Sequence, residues 1–101
     1  MVGGDRALLR EMVALFIEDY PKRVVEITDA LLRNDAEALE FAAHAVKGAA
    51  MTLCARRVGD TALSLEQMAR ASELHSAGDA LAALEDELAQ AHAGLAIIVG
   101  G

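Results

Sequence analysis

Apolar residues recur at three- and four-residue intervals along most of the chain, with turn-forming residues clustered briefly between the runs. That pattern predicts four helical stretches. The first spans about Asp5 to Arg33. Leu8, Met12, Leu15, Phe16 and Asp19 share its phase, and the stripe resumes at Val24, Ile27 or Thr28, and Leu31. Pro21 falls inside it. A proline removes one helix hydrogen bond and crowds the preceding turn, so the stretch is one kinked helix or two helices meeting at Tyr20-Pro21. The stripe keeps its phase across the proline, which favours the kink. Asn34-Asp35 then breaks the chain, with Asp35 suited to cap the next helix. That helix runs to about Leu53 and ends in a turn at Cys54-Ala55. A third spans about Arg56 to His75, with Val58, Ala62, Leu65, Met68 or Ala69, and Ser72 facing inward. Ser76-Ala77-Gly78-Asp79 makes another turn, and Asp79 stands near the start of a last helix with the stripe Leu81, Leu84, Leu88, Ala91 and Leu95. Short connections make successive helices antiparallel. The expectation is a single all-α domain over residues 1–101, an up-down four-helix bundle with frayed ends at 1–4 and 100–101.

Composition narrows the possibilities. Against 22 alanines and 14 leucines stand three aromatics and one proline, a mixture that favours helix over strand. The 9 basic and 16 acidic residues give a net charge of -7, which repels nucleic-acid backbones and anionic membrane surfaces. No run of about 18 apolar residues is free of charge, and the start has neither the basic nor the apolar segment of a signal peptide, so a cytoplasmic chain is expected. The expected oligomeric state is a monomer. One cysteine, Cys54, permits no internal disulfide and no cysteine-based zinc site.

The helix from Asp35 to Leu53 departs from a plain amphipathic design. With about 100° per residue, Leu39, Ala43, Val46, Ala50 and Leu53 gather roughly 180° to 260° round from His44. That is the core side. His44 faces away from it, with Glu37, Glu40, Lys47, Gly48 and Met51 within about 60°. Gly48 costs about 1 kcal/mol in a helix interior relative to alanine, and Ala45, Ala49 and Ala50 surround it. Its place suits close approach by another molecule's backbone. Met51 is apolar on the exposed side, as a docking surface requires. Lys47 stands at i+3 from His44, within reach of anything attached to the imidazole. Plainer readings accompany each: Lys47 as a solvated charge, Glu40 as an i+4 partner of His44, His75 and His92 as helix-surface residues, Arg56-Arg57 as a solvated pair. Glu37, Glu40 and His44 could approach a metal ion on spacing, but no second histidine shares that face.

His44-Ala45-Val46-Lys47-Gly48-Ala49-Ala50, preceded by Ala42-Ala43, resembles the His-x-x-Lys-Gly-Ser/Ala signature of histidine-containing phosphotransfer (HPt) domains. Upstream, Leu15-Phe16-Ile17-Glu18-Asp19-Tyr20-Pro21, Asn34-Asp35 and Ala38-Leu39 resemble the segment leading into that signature. Downstream, Leu65-Glu66 resembles the family's closing Leu-Glu. The resemblance covers about Leu9 to Leu88. One departure stands out: the family's usual glycine after the active helix is Cys54 here. The residue after Lys-Gly is Ala49, the common variant of the family's serine.

The resemblance implies a phosphorelay carrier phosphorylated on His44, with Lys47 contacting the phosphoryl group. Glu40, Phe41, Gly48 and Met51 would meet the partner. It implies receiver domains, and a hybrid sensor histidine kinase, as partners, with Mg²⁺ held by the receiver and no cofactor of its own. The chemistry asks for little else. An imidazole in water, with its ordinary pKa of about 6.5, is largely neutral near pH 7, and in-line transfer depends mainly on positioning and electrostatics. The chain has no Gly-rich nucleotide loop, so ATP handling would fall to the partners. A helical adaptor, or a bundle that docks on a kinase and regulates it, is the alternative without phosphoryl chemistry.

Overall fold

A computed structural model describes residues 2–100, with side-chain surroundings for residues 6–98. Four α-helices make up the described residues: α1 (Val2–Leu32), α2 (Ala36–Thr52), α3 (Arg56–Arg70) and α4 (Ala77–Gly100), with one turn of 3-10 helix at Leu74–Ser76. No strand occurs among them. Helices α1 and α2, α2 and α3, α3 and α4, and α4 and α1 pack side by side, which closes a ring round one core. Contacts between α2 and α3 run in opposite senses, Glu40 to Arg70, His44 to Glu66 and Met51 to Gly59, so the pair is antiparallel. The core is built from Phe16, Ile27, Leu39, Val46, Val58, Leu65, Leu84 and Leu88. Seven buried alanines, among them Ala43, Ala50 and Ala62, lie between them. Small side chains let the helices approach closely over a cross-section of 21 × 19 Å. No helix among the described residues is long and apolar enough to cross a membrane.

The helix α1 runs unbroken through the exposed Pro21, the one-helix alternative that the phase of its stripe favoured. Other expectations are corrected. Leu8 and Leu15 are exposed, and Val13 takes the inner position beside Phe16. The reason is phase: Val13, Phe16 and Ile27 hold the buried side of α1, which turns Leu15 outward between the first two. The helix α3 ends at Arg70 instead of His75, and Ser72 is exposed in the turn. Consequently α4 begins at Ala77, with Gly78 and Asp79 already inside its first turn. Of the ends expected to fray, residues 2–4 and 100 belong to α1 and α4, while Met1 and Gly101 lie outside the described residues.

The three interhelical turns share one construction. Asn34, Cys54 and Ser72 each have φ between 55° and 58°. After α2, the Ala55 N–H bonds the Ala50 carbonyl at 2.8 Å and the Cys54 N–H the Met51 carbonyl at 3.2 Å. This is the Schellman pattern, and Asp35 to Ala30 and Glu73 to Met68 repeat it at the other two ends. None of the three uses glycine, although the left-handed region costs about 1–2 kcal/mol for other residues. Asp35 then caps α2, its side chain accepting from the Ala38 N–H at 3.1 Å.

Cys54 therefore carries the strain that a glycine would relieve. Cys54→Gly is expected to raise stability by up to about 1 kcal/mol, after the entropy glycine adds to the unfolded chain. Thermal denaturation under reducing conditions should show a rise of about 4 °C. An unchanged or lowered midpoint would mean that Cys54 contributes packing that offsets its backbone strain.

Candidate functional site

The site lies where α2 crosses α3. The α2 stripe buries Leu39, Ala42, Ala43, Val46 and Ala50, which turns His44 outward with 63% of its side chain exposed. On α3 the inward phase passes through Ala62, Leu65, Glu66 and Ala69. Glu66 is thus carried into the interface, and its side chain is 1% exposed. A carboxylate so placed needs donors on both oxygens. Lys47 Nζ donates to Oε1 at 2.8 Å, His44 Nδ1–H donates to Oε2 at 2.7 Å, and Arg70 donates to Oε2 at 3.1 Å. No buried side-chain polar atom among the described residues lacks a partner.

The Lys47 hydrogen bond, acting against burial and joined by the His44 hydrogen bond, holds the Glu66 carboxyl below its ordinary 4.5. The group is therefore ionised near neutral pH and can only accept. The proton in the His44–Glu66 bond must sit on Nδ1. In the neutral ring this leaves the lone pair on Nε2, on a side chain that stays largely open to solvent.

The other expected site residues gather around this centre. Phe41 is 71% exposed and Met51 62% exposed, one on each side of His44 along α2. Nothing lies within 4 Å of where a Cβ on Gly48 would be, so packing in the bundle does not require that glycine. Met51 has a structural share as well. Its Sδ would stand 3.1 Å from a Cβ on Gly59, so the bare Gly59 backbone leaves room for the Met51 side chain where it crosses α3. Glu40 does not pair with His44 as the i+4 spacing allowed. Arg70 takes it instead, with Nε donating to Glu40 Oε2 at 2.7 Å. No cluster of three potential metal ligands forms among the described residues.

Two sequence readings change. Glu66 entered only as part of a resemblance, yet it organises the site. The signal was present: a glutamate in phase with Ala62, Leu65 and Ala69 must be buried and must find cations. His92 is also more than a surface residue. It is half-buried, with Nδ1 2.6 Å from the Tyr20 hydroxyl and the two rings edge to face at 5.5 Å, so it ties α4 to α1 far from His44 in sequence. His75 is exposed, as expected.

A family model described as "Hpt domain" matches residues 11–94. Searches of curated proteins and of solved structures find no match to the chain.

The lowered Glu66 pKa has a stability consequence of definite sign. Where the folded value lies below the unfolded one, the contribution is present in full above about 4.5 and is lost as pH falls through the folded value. Glu66→Gln is expected to cost about 1–3 kcal/mol near neutral pH. Melting curves of the two proteins should converge as pH drops below about 4.5. A difference that stays constant into acid would mean that the carboxylate charge contributes nothing.

Proposed function

We propose that His44 is the phosphoryl carrier of this chain, which belongs to the Hpt domain family, phosphocarrier modules that serve phosphorelays and interact with receiver domains. The observation that supports this most is the ion-paired Glu66 beneath an exposed imidazole: it fixes the proton on Nδ1 and presents Nε2 to a partner. The Nε2 lone pair attacks the phosphorus of a receiver's aspartyl phosphate. An N–P bond forms, the P–O bond breaks, and the aspartate leaves as carboxylate with the electron pair. No proton leaves the ring, so Nδ1–H remains and the imidazole gains one positive charge beside the Glu66 carboxylate. Charge balances, because the dianionic phosphoryl group moves from an oxygen that becomes an anion to a ring that becomes a cation. Return transfer to another receiver's aspartate reverses these steps.

Lys47 neutralises Glu66 from the other oxygen and stands one turn from His44, where it can also meet a phosphoryl oxygen. Phe41, Gly48 and Met51 form the surface on which the receiver rests, with Glu40 at its edge. Mg²⁺ stays with the receiver. An adaptor without phosphoryl chemistry would use Phe41 and Met51 equally well, but it would have no use for a histidine held in one tautomer by a buried carboxylate.

Incubation with a phosphorylated receiver tests this. Wild type should acquire acid-labile, base-stable phosphate, and His44→Gln should fold and acquire none. Uptake surviving in that variant, or moving to His75 or His92, would overturn the assignment. Gly48 gives a second test. Gly48→Ala should stabilise the free bundle by up to about 1 kcal/mol, since a Cβ there meets open space. Gly48→Gln should keep the melting temperature and slow transfer about a hundredfold, because displacing the reacting groups by even ~1 Å has that effect. Normal transfer by a folded Gly48→Gln protein would place the docking surface elsewhere.

A further inference from the structure

Arg70 is held by two carboxylates with different roles. Its Nε donates to Glu40 Oε2 at 2.7 Å, and Nη2 donates to Glu66 Oε2 at 3.1 Å, the oxygen that also accepts from His44 Nδ1. The guanidinium is therefore two hydrogen bonds from the imidazole. Glu37, Glu40, Phe41, His44, Glu66 and Arg70 line one shallow groove of about 260 Å³. His44 and Arg70 thus face one and the same groove.

The two contacts of Arg70 are unequal. Glu66 is buried and fixed by three donors. Glu40 bonds only Arg70, and the Arg70 side chain is 59% exposed. Exposed pairs of this kind contribute little and exchange readily. Phosphorylation would bring close to two negative charges and three strong acceptor oxygens to the same groove. A dianion with three acceptors competes well for a planar guanidinium against a single exposed carboxylate.

We propose that Glu40 and Arg70 form a latch that reports the phosphorylation state of His44. In the unphosphorylated chain Glu40 holds Arg70 to one side. When Nε2 carries the phosphoryl group, Arg70 keeps its bond to Glu66 and exchanges Glu40 for a phosphoryl oxygen. Glu40 is then an unpaired carboxylate on the face that includes Phe41, so a receiver meets a different charge pattern in the two states. This rests on the reading of His44 as the carrier. The only covalent step is the phosphorylation itself: Nε2 gains the N–P bond and the donor's leaving group departs with its electron pair.

The experiment uses the full chain labelled with ¹⁵N, with phosphoramidate as donor and ammonia as the leaving group. Spectra of wild type and Glu40→Gln are compared before and after phosphorylation. The Arg70 Nε–H signals of the two proteins should differ before it, because only wild type has the Glu40 bond, and should coincide after it. A ³¹P titration should show the proton affinity of the phosphoryl group about threefold higher in Arg70→Gln than in wild type, with Arg70→Lys between them. An Arg70 signal that keeps its Glu40-bonded position after phosphorylation, or a phosphoryl proton affinity unchanged in Arg70→Gln, would overturn the latch while leaving the carrier intact. A phosphohistidine signal in His44→Gln would instead overturn the carrier reading, and the latch with it.

Discussion

A carboxylate taken out of water must find cationic partners or lose its charge, and Glu66 is the place where this requirement shapes the molecule. The phase of α3 buries it, and α2 supplies two of its three donors. Satisfying it sets the register of α3 against α2, because Lys47 and His44 reach opposite oxygens only at one offset of the two helices. It also sets the ring of His44, because an ionised acceptor dictates which nitrogen carries the proton. One buried charge thus links helix packing to the protonation of an exposed imidazole. A buried ion pair is weak evidence for stability on its own account; here its value lies in orientation.

The rest of the bundle leaves the His44 ring open to solvent. Alanine-rich interfaces between α1, α2 and α3 leave His44 on the outer surface of α2 instead of in a cleft. Gly48, one turn on, keeps the helix surface low beside His44. Phe41 and Met51 flank the histidine with exposed apolar surface, and Gly59 leaves room for the Met51 side chain beside α3. The strained left-handed residues that end α1, α2 and α3 bear on stability and stand apart from the His44–Glu66 contact, so the strain at Cys54 is a property of the turn.

The fold class and the outward phase of His44 were legible because both depend on short-range periodicity. Leu39, Val46 and Ala50 repeat cleanly enough to fix the rotation of α2. The end of α3 was not legible, since Ser72 has a helix-compatible side chain and only the Schellman bonds reveal the stop. The inward face of α1 was not legible, because leucines at 8 and 15 look like core on an isolated helix, whereas packing selects the phase of Val13 and Phe16. Arg70 carries no signal by itself. Its contact with Glu40 crosses 30 positions of sequence and exists only once α2 and α3 are paired. Glu66 lies between these cases: its burial follows from phase, while the identity of its partners requires the crossing geometry.

The most direct test of this account is the ¹⁵N NMR signature of the His44 ring in the full chain, before and after phosphorylation. In the unphosphorylated protein at a pH where the ring is neutral, Nδ1 should show the protonated, pyrrole-type signal and Nε2 the unprotonated one. After phosphorylation the ³¹P coupling should appear on Nε2, with Nδ1 still protonated. A ring protonated on Nε2, or a phosphorus coupled to Nδ1, would contradict the claim that Glu66 selects the nucleophile.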